Sequence, residues 1–178
     1  IEDEIHVLEG VVQRFLRNSG PLQISTAPVD LVKLVQRAAE VAEPEARSKG
    51  VQLLIQAPGK LHGDVDGSLV RRAIENLMLN AIEHVAANGG GHVTAALVPG
   101  ARAAKLYVDD DGPGVAPEDR ERIFQAYYSS KAGGTGLGLA LVKQVIIAHG
   151  GTIVCVESPI GGARFEATLP LQPPGDAT

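Results

Sequence analysis

The chain has no tryptophan, three tyrosines, three phenylalanines and one cysteine among 178 residues. With so few rings, its core must be aliphatic, built on Leu, Ile, Val and Ala. The lone Cys155 excludes an internal disulfide and a Cys-rich metal site. No apolar run approaches the ~20 residues of a membrane-spanning helix. The opening IEDEIHVLEG carries no signal-peptide pattern. An intracellular, cytoplasmic domain that does not itself contact a membrane is expected, and the abrupt start reads as a piece of something larger. Positive charge is not in excess: 16 Lys and Arg face 21 Asp and Glu, a net charge of −5. That argues against a general nucleic-acid surface. It leaves room for a phosphate ligand bound through local cations and a metal. Internal repeats and long low-complexity stretches are also absent.

What is present fits one domain, with 44% apolar residues and a length able to bury a core. Ile5, Leu8, Val12, Phe15 and Leu16 recur at helical spacing over 1–18, and Asn18-Ser19-Gly20-Pro21 stops that helix. Leu22–Ser25 reads as extended. A second helix follows Asp30 to about Lys49, with Leu31, Leu34, Val35, Ala38, Val41 and Ala42 inward and Gly50 ending it. Val51–Gln56 alternates as a strand, and Lys60–Gly63 is positioned to pair back with it. Asp66 opens a third helix whose apolar stripe is Val70, Ile74, Leu77, Ala81 and Val85. His92–Val98 and Ala104–Asp109 read as neighbouring strands, and 118–124 as one helical turn. A last helix opens at Gly136 and ends at Gly150-Gly151. A hairpin of Thr152–Glu157 and Ala163–Leu169 closes the fold, and 172–178 reads as a flexible tail. The pattern predicts an α/β (α+β) two-layer sandwich, with a mixed, mostly antiparallel sheet and helices on one face.

Three glycine- or asparagine-centred segments follow one another: ENLMLNAIEH (75–84), DDDGPGV (109–115) and GGTGLGLALV (133–142). Asn76 and Asn80 share a helix face away from the apolar stripe. Their carbonyl oxygens suit a hard ion such as Mg²⁺; the alternative is amides that bond nearby backbone or solvent. Three consecutive carboxylates at a strand end are costly unless something uses them. The third segment runs into a helix, whose free N–H groups and positive dipole end suit phosphates. It is neither a Walker A loop, since no Gly-Lys-Ser/Thr follows, nor a dinucleotide fingerprint after a strand.

In order and spacing, these segments resemble the N, G1 and G2 boxes of the ATP-binding catalytic domain of sensor histidine kinases, the Bergerat-type fold of the GHKL ATPases. The resemblance covers about residues 22–170 well and 1–18 loosely. It implies ATP and Mg²⁺ as cofactors, with Asn80 the metal ligand and Asn76 its support. Asp110 would accept from the adenine amino group, and Gly112 and Gly114 would let backbone pass close to the base. Gly134, Thr135, Gly136, Leu137 and Gly138 would line the phosphates. ERIFQAYYSSK resembles the family's F box in its nitrogen-regulation-like form, which makes Lys131 a candidate γ-phosphate contact and Phe124 a packing residue between lid and core. Residues 1–20 would be the end of a second dimerisation helix with its linker, and 21–171 the ATP-binding domain. The implied partners are the dimerisation and phosphotransfer helices of the same protein, a homodimer at full length, and a response regulator; the piece alone would be a monomer.

The chain departs from the pattern in three places. Related ATPases carry a water-activating glutamate where Asn76 stands; here Glu75 lies about 100° around the helix from it. The usual lysine near the phosphates is Glu83, for which Lys131 or Arg122 would compensate. Ala163 replaces a common threonine, leaving Thr168 as a possible hydroxyl source. None of the five histidines has the context of a phosphoacceptor; His149 reads as structural or surface, and His84 as near the nucleotide, packed or solvated. An anti-sigma-type serine kinase and a nucleotide-sensing module are the other readings of such a site.

Overall fold

The computed structural model describes residues 22–128 and 135–172. Strands β1 (Ala27–Asp30), β2 (Val51–Gln56), β3 (His62–Val65), β4 (Gly91–Val98), β5 (Ala103–Asp110), β6 (Thr152–Glu157) and β7 (Ala163–Pro170) alternate with helices α1 (Leu31–Ser48), α2 (Gly67–Ala86) and α3 (Gly138–Ala148). The main sheet has the order β2-β4-β5-β7-β6; only β2 and β4 run parallel. Along its strands Val93, Ala95, Leu97, Leu106, Val108, Phe165 and Ala167 are buried, while Leu54, Val98 and Val154 are exposed. The helices therefore cover one face, which is the expected two-layer sandwich.

Aspartates cap the first two helices. Asp30 Oδ1 accepts from the Val32 N–H at 3.1 Å and caps α1. Gly50, at φ +68°, ends it. Asp66 is more heavily used. Its Oδ1 accepts from the Leu69 N–H at 3.1 Å to cap α2, and its Oδ2 accepts from the Ser25 N–H at 3.0 Å. Its own N–H donates to His149 Nε2 at 2.9 Å. His149 Nδ1 lies 2.7 Å from the Val145 carbonyl, so the ring carries its proton on Nδ1. His149 is a buried clasp between the end of α3 and the start of α2, not a surface residue.

Several expectations change. β3 pairs antiparallel with β1 rather than returning to β2. The half-buried β2 instead finds its neighbour in β4, which it reaches across α2. The first strand begins at Ala27, beyond the extended 22–25. Val41 is exposed, because the buried stripe of α1 runs through Leu34, Ala38, Ala42 and Ala46 and leaves it on the flank. The turn near 118–124 is two short 3₁₀ turns, Pro117–Asp119 and Arg122–Phe124. α3 starts at Gly138 because Gly136 is left-handed, at φ +65°. The expected helix over 1–18 and the tail over 173–178 lie outside the described residues.

Asp66→Ala removes the side-chain cap of α2 and the tie to Ser25, and keeps the backbone N–H that bonds His149. Its unfolding free energy should fall by about 1–2 kcal/mol, the range of a strong cap, read from the shift in urea midpoint at constant slope. An unchanged midpoint would show that Asp66 does not hold these elements together.

Candidate nucleotide site

The three carboxylates that end β5 have three different fates. Asp109 is 5% exposed. Arg164 grips it with a two-pronged fork, Nε to Oδ1 at 2.7 Å and a second guanidinium nitrogen to Oδ2 at 2.9 Å. The Ser158 hydroxyl adds a bond at 3.1 Å, and Arg164 also lies 4.4 Å over the Tyr107 ring. Asp109 is structural. Asp111 turns to β4, where Oδ1 accepts from the His92 N–H and Oδ2 meets His92 Nδ1, both at 2.8 Å. Burial alone would raise the Asp111 carboxyl; the bonds from His92 outweigh it and hold it below its usual range.

Asp110 lies between them and is 1% exposed. Its Oδ1 accepts from the Gly112 N–H at 3.0 Å and the Ala163 N–H at 3.1 Å. Its Oδ2 is buried and has no partner among the described residues. Two backbone amides thus fix the carboxylate's orientation and leave its second oxygen without a partner among the described residues. Burial raises the Asp110 carboxyl, against the pull of those amides and of nearby His84. His84 is therefore close to this site; its carbonyl carbon and oxygen also neighbour Gly112.

Glycines let backbone reach this carboxylate. Gly114 is left-handed, at φ +74°. A Cβ on Gly162 would overlap Asp110 Oδ1 and stand 2.6 Å from the Gly112 nitrogen, so no larger residue fits. Gly162 was not among the expected site residues. Its signal was the Gly-Gly before the last strand, which reads as an ordinary hairpin turn. Ala163 carries no hydroxyl, and its N–H is given to Asp110 Oδ1. Thr168 is opposite Lys105 in the β5–β7 register, about 16 Å along the strand at the usual rise per residue, and cannot contribute.

Asn76, Asn80 and the glycine segment converge from the other side. Asn76 Nδ2 donates to the Arg72 carbonyl at 3.0 Å, so that end of the amide is bound to its own helix. Its Oδ1 faces Gly138, where a Cβ would lie 3.0 Å away. Asn80 has a buried amide nitrogen with no partner among the described residues. A half-turn of that amide exchanges nitrogen for oxygen, so the position fits a cation ligand as well as a donor. α3 begins beside Asn76 with no side-chain cap, leaving its first amides to other partners. Leu137 is buried and Thr135 exposed.

The remaining candidates divide. Glu75 is paired with Arg71, and burial raises its carboxyl despite that partner. Glu83 acts electrostatically on Lys49 at the end of α1. Arg122 bonds Asp119 at 3.0 Å and lies 5.0 Å over the Tyr128 ring, so it is engaged elsewhere. Phe124 is 6% exposed, edge-on to Phe165 at 6.1 Å, and packs rather than stacking on a base. Lys131 and Gly134 lie outside the described residues.

Asp110 carries a pH signature. With its carboxyl raised in the fold, the folded form binds the proton better than the unfolded chain. Stability then falls as pH rises from the ordinary carboxylate pKa through the raised value. Asp110→Asn should remove this slope and give a Tm at pH 7 equal to or above the parent's, measured by thermal melts between pH 4 and 8. A clear fall in Tm would mean that the carboxylate is needed for folding.

The family described as histidine kinase-, DNA gyrase B- and HSP90-like ATPase matches residues 65–173. The chain is 34% identical over 165 residues to the sensor histidine kinase ZraS of Escherichia coli O157:H7, covering 92% of this chain and 36% of that protein. Among solved structures, a mycobacterial sensor histidine kinase, MprB, matches with TM-score 0.74 and 29% identity, over 84% of this chain and 99% of that one. Full-length ShkA in complex with AMPPNP matches with TM-score 0.76 and 31% identity, over 86% of this chain and 33% of that one. The chain spans about a third of the length of the curated relative it matches. The buried Asp110 carboxylate, the two asparagines and the start of α3, which has no side-chain cap, sit within the matched region, and the chain belongs to the histidine kinase-, DNA gyrase B- and HSP90-like ATPase family, as a catalytic domain of the sensor histidine kinase kind.

Proposed function

We propose that this domain binds ATP with Mg²⁺ and presents the γ-phosphate to a histidine on a dimerisation helix outside the described residues, from which an aspartate of a response regulator then takes it. The observation that carries the adenine end is the buried, unpartnered Asp110 Oδ2. An ionised carboxylate only accepts. It therefore suits the amino group of adenine and disfavours guanine, which presents a carbonyl there. Gly112 and Gly162 leave space for backbone beside the base. The solved ShkA complex holds AMPPNP, which supports the same ligand class for this fold.

At the phosphate end, Asn80 would hold the metal, with Asn76 anchored to Arg72 beside it. When bound, Mg²⁺ neutralises phosphate charge. The first amides of α3, which no side chain caps among the described residues, would face the same phosphates. The residues also favour a protein acceptor over water. A neutral asparagine stands at position 76, and the neighbouring Glu75 is tied to Arg71. Position 76 thus offers no carboxylate to take a proton from an attacking water. Residues 1–20 we assign to the end of the second dimerisation helix and its linker, which would carry the domain in a homodimer.

Incubation of the chain with labelled ATP and Mg²⁺ tests this reading. General-base help is typically worth 10²–10⁴-fold, so hydrolysis should be very slow and self-labelling minimal. Adding a separate dimerisation-helix domain should yield acid-labile label on a histidine. Brisk phosphate release by the chain alone would favour an ATPase, and acid-stable label on a partner would favour a serine kinase. Asp110→Asn should lower affinity for a fluorescent ATP analogue by roughly ten- to a hundredfold, the equivalent of a charge-assisted hydrogen bond of about 1.5–3 kcal/mol. Unchanged affinity would remove Asp110 from the adenine site. Asn80→Ala should impair transfer at limiting Mg²⁺ while leaving the melting temperature near the parent's; wild-type transfer there would contradict the metal role.

A further inference from the structure

Tyr127 is the one non-glycine among the described residues with a left-handed backbone, at φ +66°. Its ring is 59% exposed, so burial of the side chain does not hold the strain in place. The backbone around it does. The Tyr127 N–H donates to the Gly136 carbonyl at 3.0 Å. Gly136 is itself left-handed, and a Cβ there would stand 2.7 Å from the Tyr127 carbonyl carbon and 2.8 Å from the Tyr128 oxygen. The two residues thus press backbone against backbone. Below them, Tyr128 is pinned: its N–H donates to the Gln125 carbonyl at 3.2 Å, and its ring lies under the Arg122 guanidinium, which is paired with Asp119. Two residues after Gly136, Gly138 opens α3 against Asn76.

A left-handed conformation is unfavourable for a non-glycine residue, and such outliers persist where surrounding structure enforces them. Resting on the nucleotide-site reading above, we propose that Tyr127 is a positioning residue: its left-handed backbone, locked to Gly136, sets where α3 begins and so holds the first α3 amides in register with Asn76. The role belongs to the backbone conformation, not to the phenol ring.

The test separates conformation from side chain. Tyr127→Asn keeps a residue that tolerates the left-handed region, without the ring. Tyr127→Val keeps an apolar side chain that resists it. Fluorescent ATP analogue titration on the chain should give affinity within two- to threefold of the parent for Tyr127→Asn and a loss of at least tenfold for Tyr127→Val. The two variants should have similar melting temperatures. Hydrogen exchange at the residue-127 amide should accelerate only in Tyr127→Val, because its bond to Gly136 is the part that opens. Equal affinity in both variants and the parent would overturn the proposal. An equal loss in both would also overturn it, by assigning the effect to the ring. Asp110→Asn run alongside distinguishes the two levels: if it too binds like the parent, the nucleotide reading has failed rather than the neck.

Discussion

Three ionisable carboxylates in a row at the end of β5 are the constraint around which this domain is arranged. Like charges so close together repel, and each must find its own compensation before the loop can settle. Arg164 and Ser158 take Asp109. His92 takes Asp111, tying β5 back to the first turn of β4. With both neighbours held by specific partners, Asp110 is buried with only two backbone amides on one oxygen. The second oxygen, without a partner among the described residues, is unfavourable for the free fold.

The rest of the site is brought to that carboxylate by helix ends. Asp66 starts α2 and, through His149, couples it to the end of α3. The two helices that bear the asparagines and the last glycine segment therefore share a fixed reference. Asn76 meets Gly138 across them. On the far side, the Tyr127–Gly136 contact decides where α3 can begin. The exposed face of the sheet takes no part in this; it is closed by ion pairs such as Lys105 with Glu166 at 2.8 Å.

Much of the fold was legible because it rests on periodicity. The stripe of Val70, Ile74, Leu77, Ala81 and Val85 is buried as read, and β4 and β5 pair as the neighbouring strands they were read to be. Errors came where partner choice is non-local. A short extended piece such as His62–Val65 has no sequence mark that says whether it joins β2 or β1. Val41 matches helical spacing yet is exposed, because no element packs over its side of α1. Motif order marks Asn76, Asn80, Asp110 and Gly112; the structure sets Gly112 on Asp110 and Asn76 on Gly138. Gly162 was not legible, since its role depends on a carboxylate 52 positions earlier in the chain. Thr168 was assigned from residue type alone and fails on register.

The sequence by itself determined the helices, the aliphatic core and the class of ligand chemistry, because turn residues, apolar spacing and box order are local properties. Tertiary structure alone decided which of Asp109, Asp110 and Asp111 is free to act. Identical side chains in one tripeptide are chemically equivalent until Arg164, His92 and the Ala163 amide arrive from other strands, and of the three only Asp110 keeps an oxygen with no partner among the described residues.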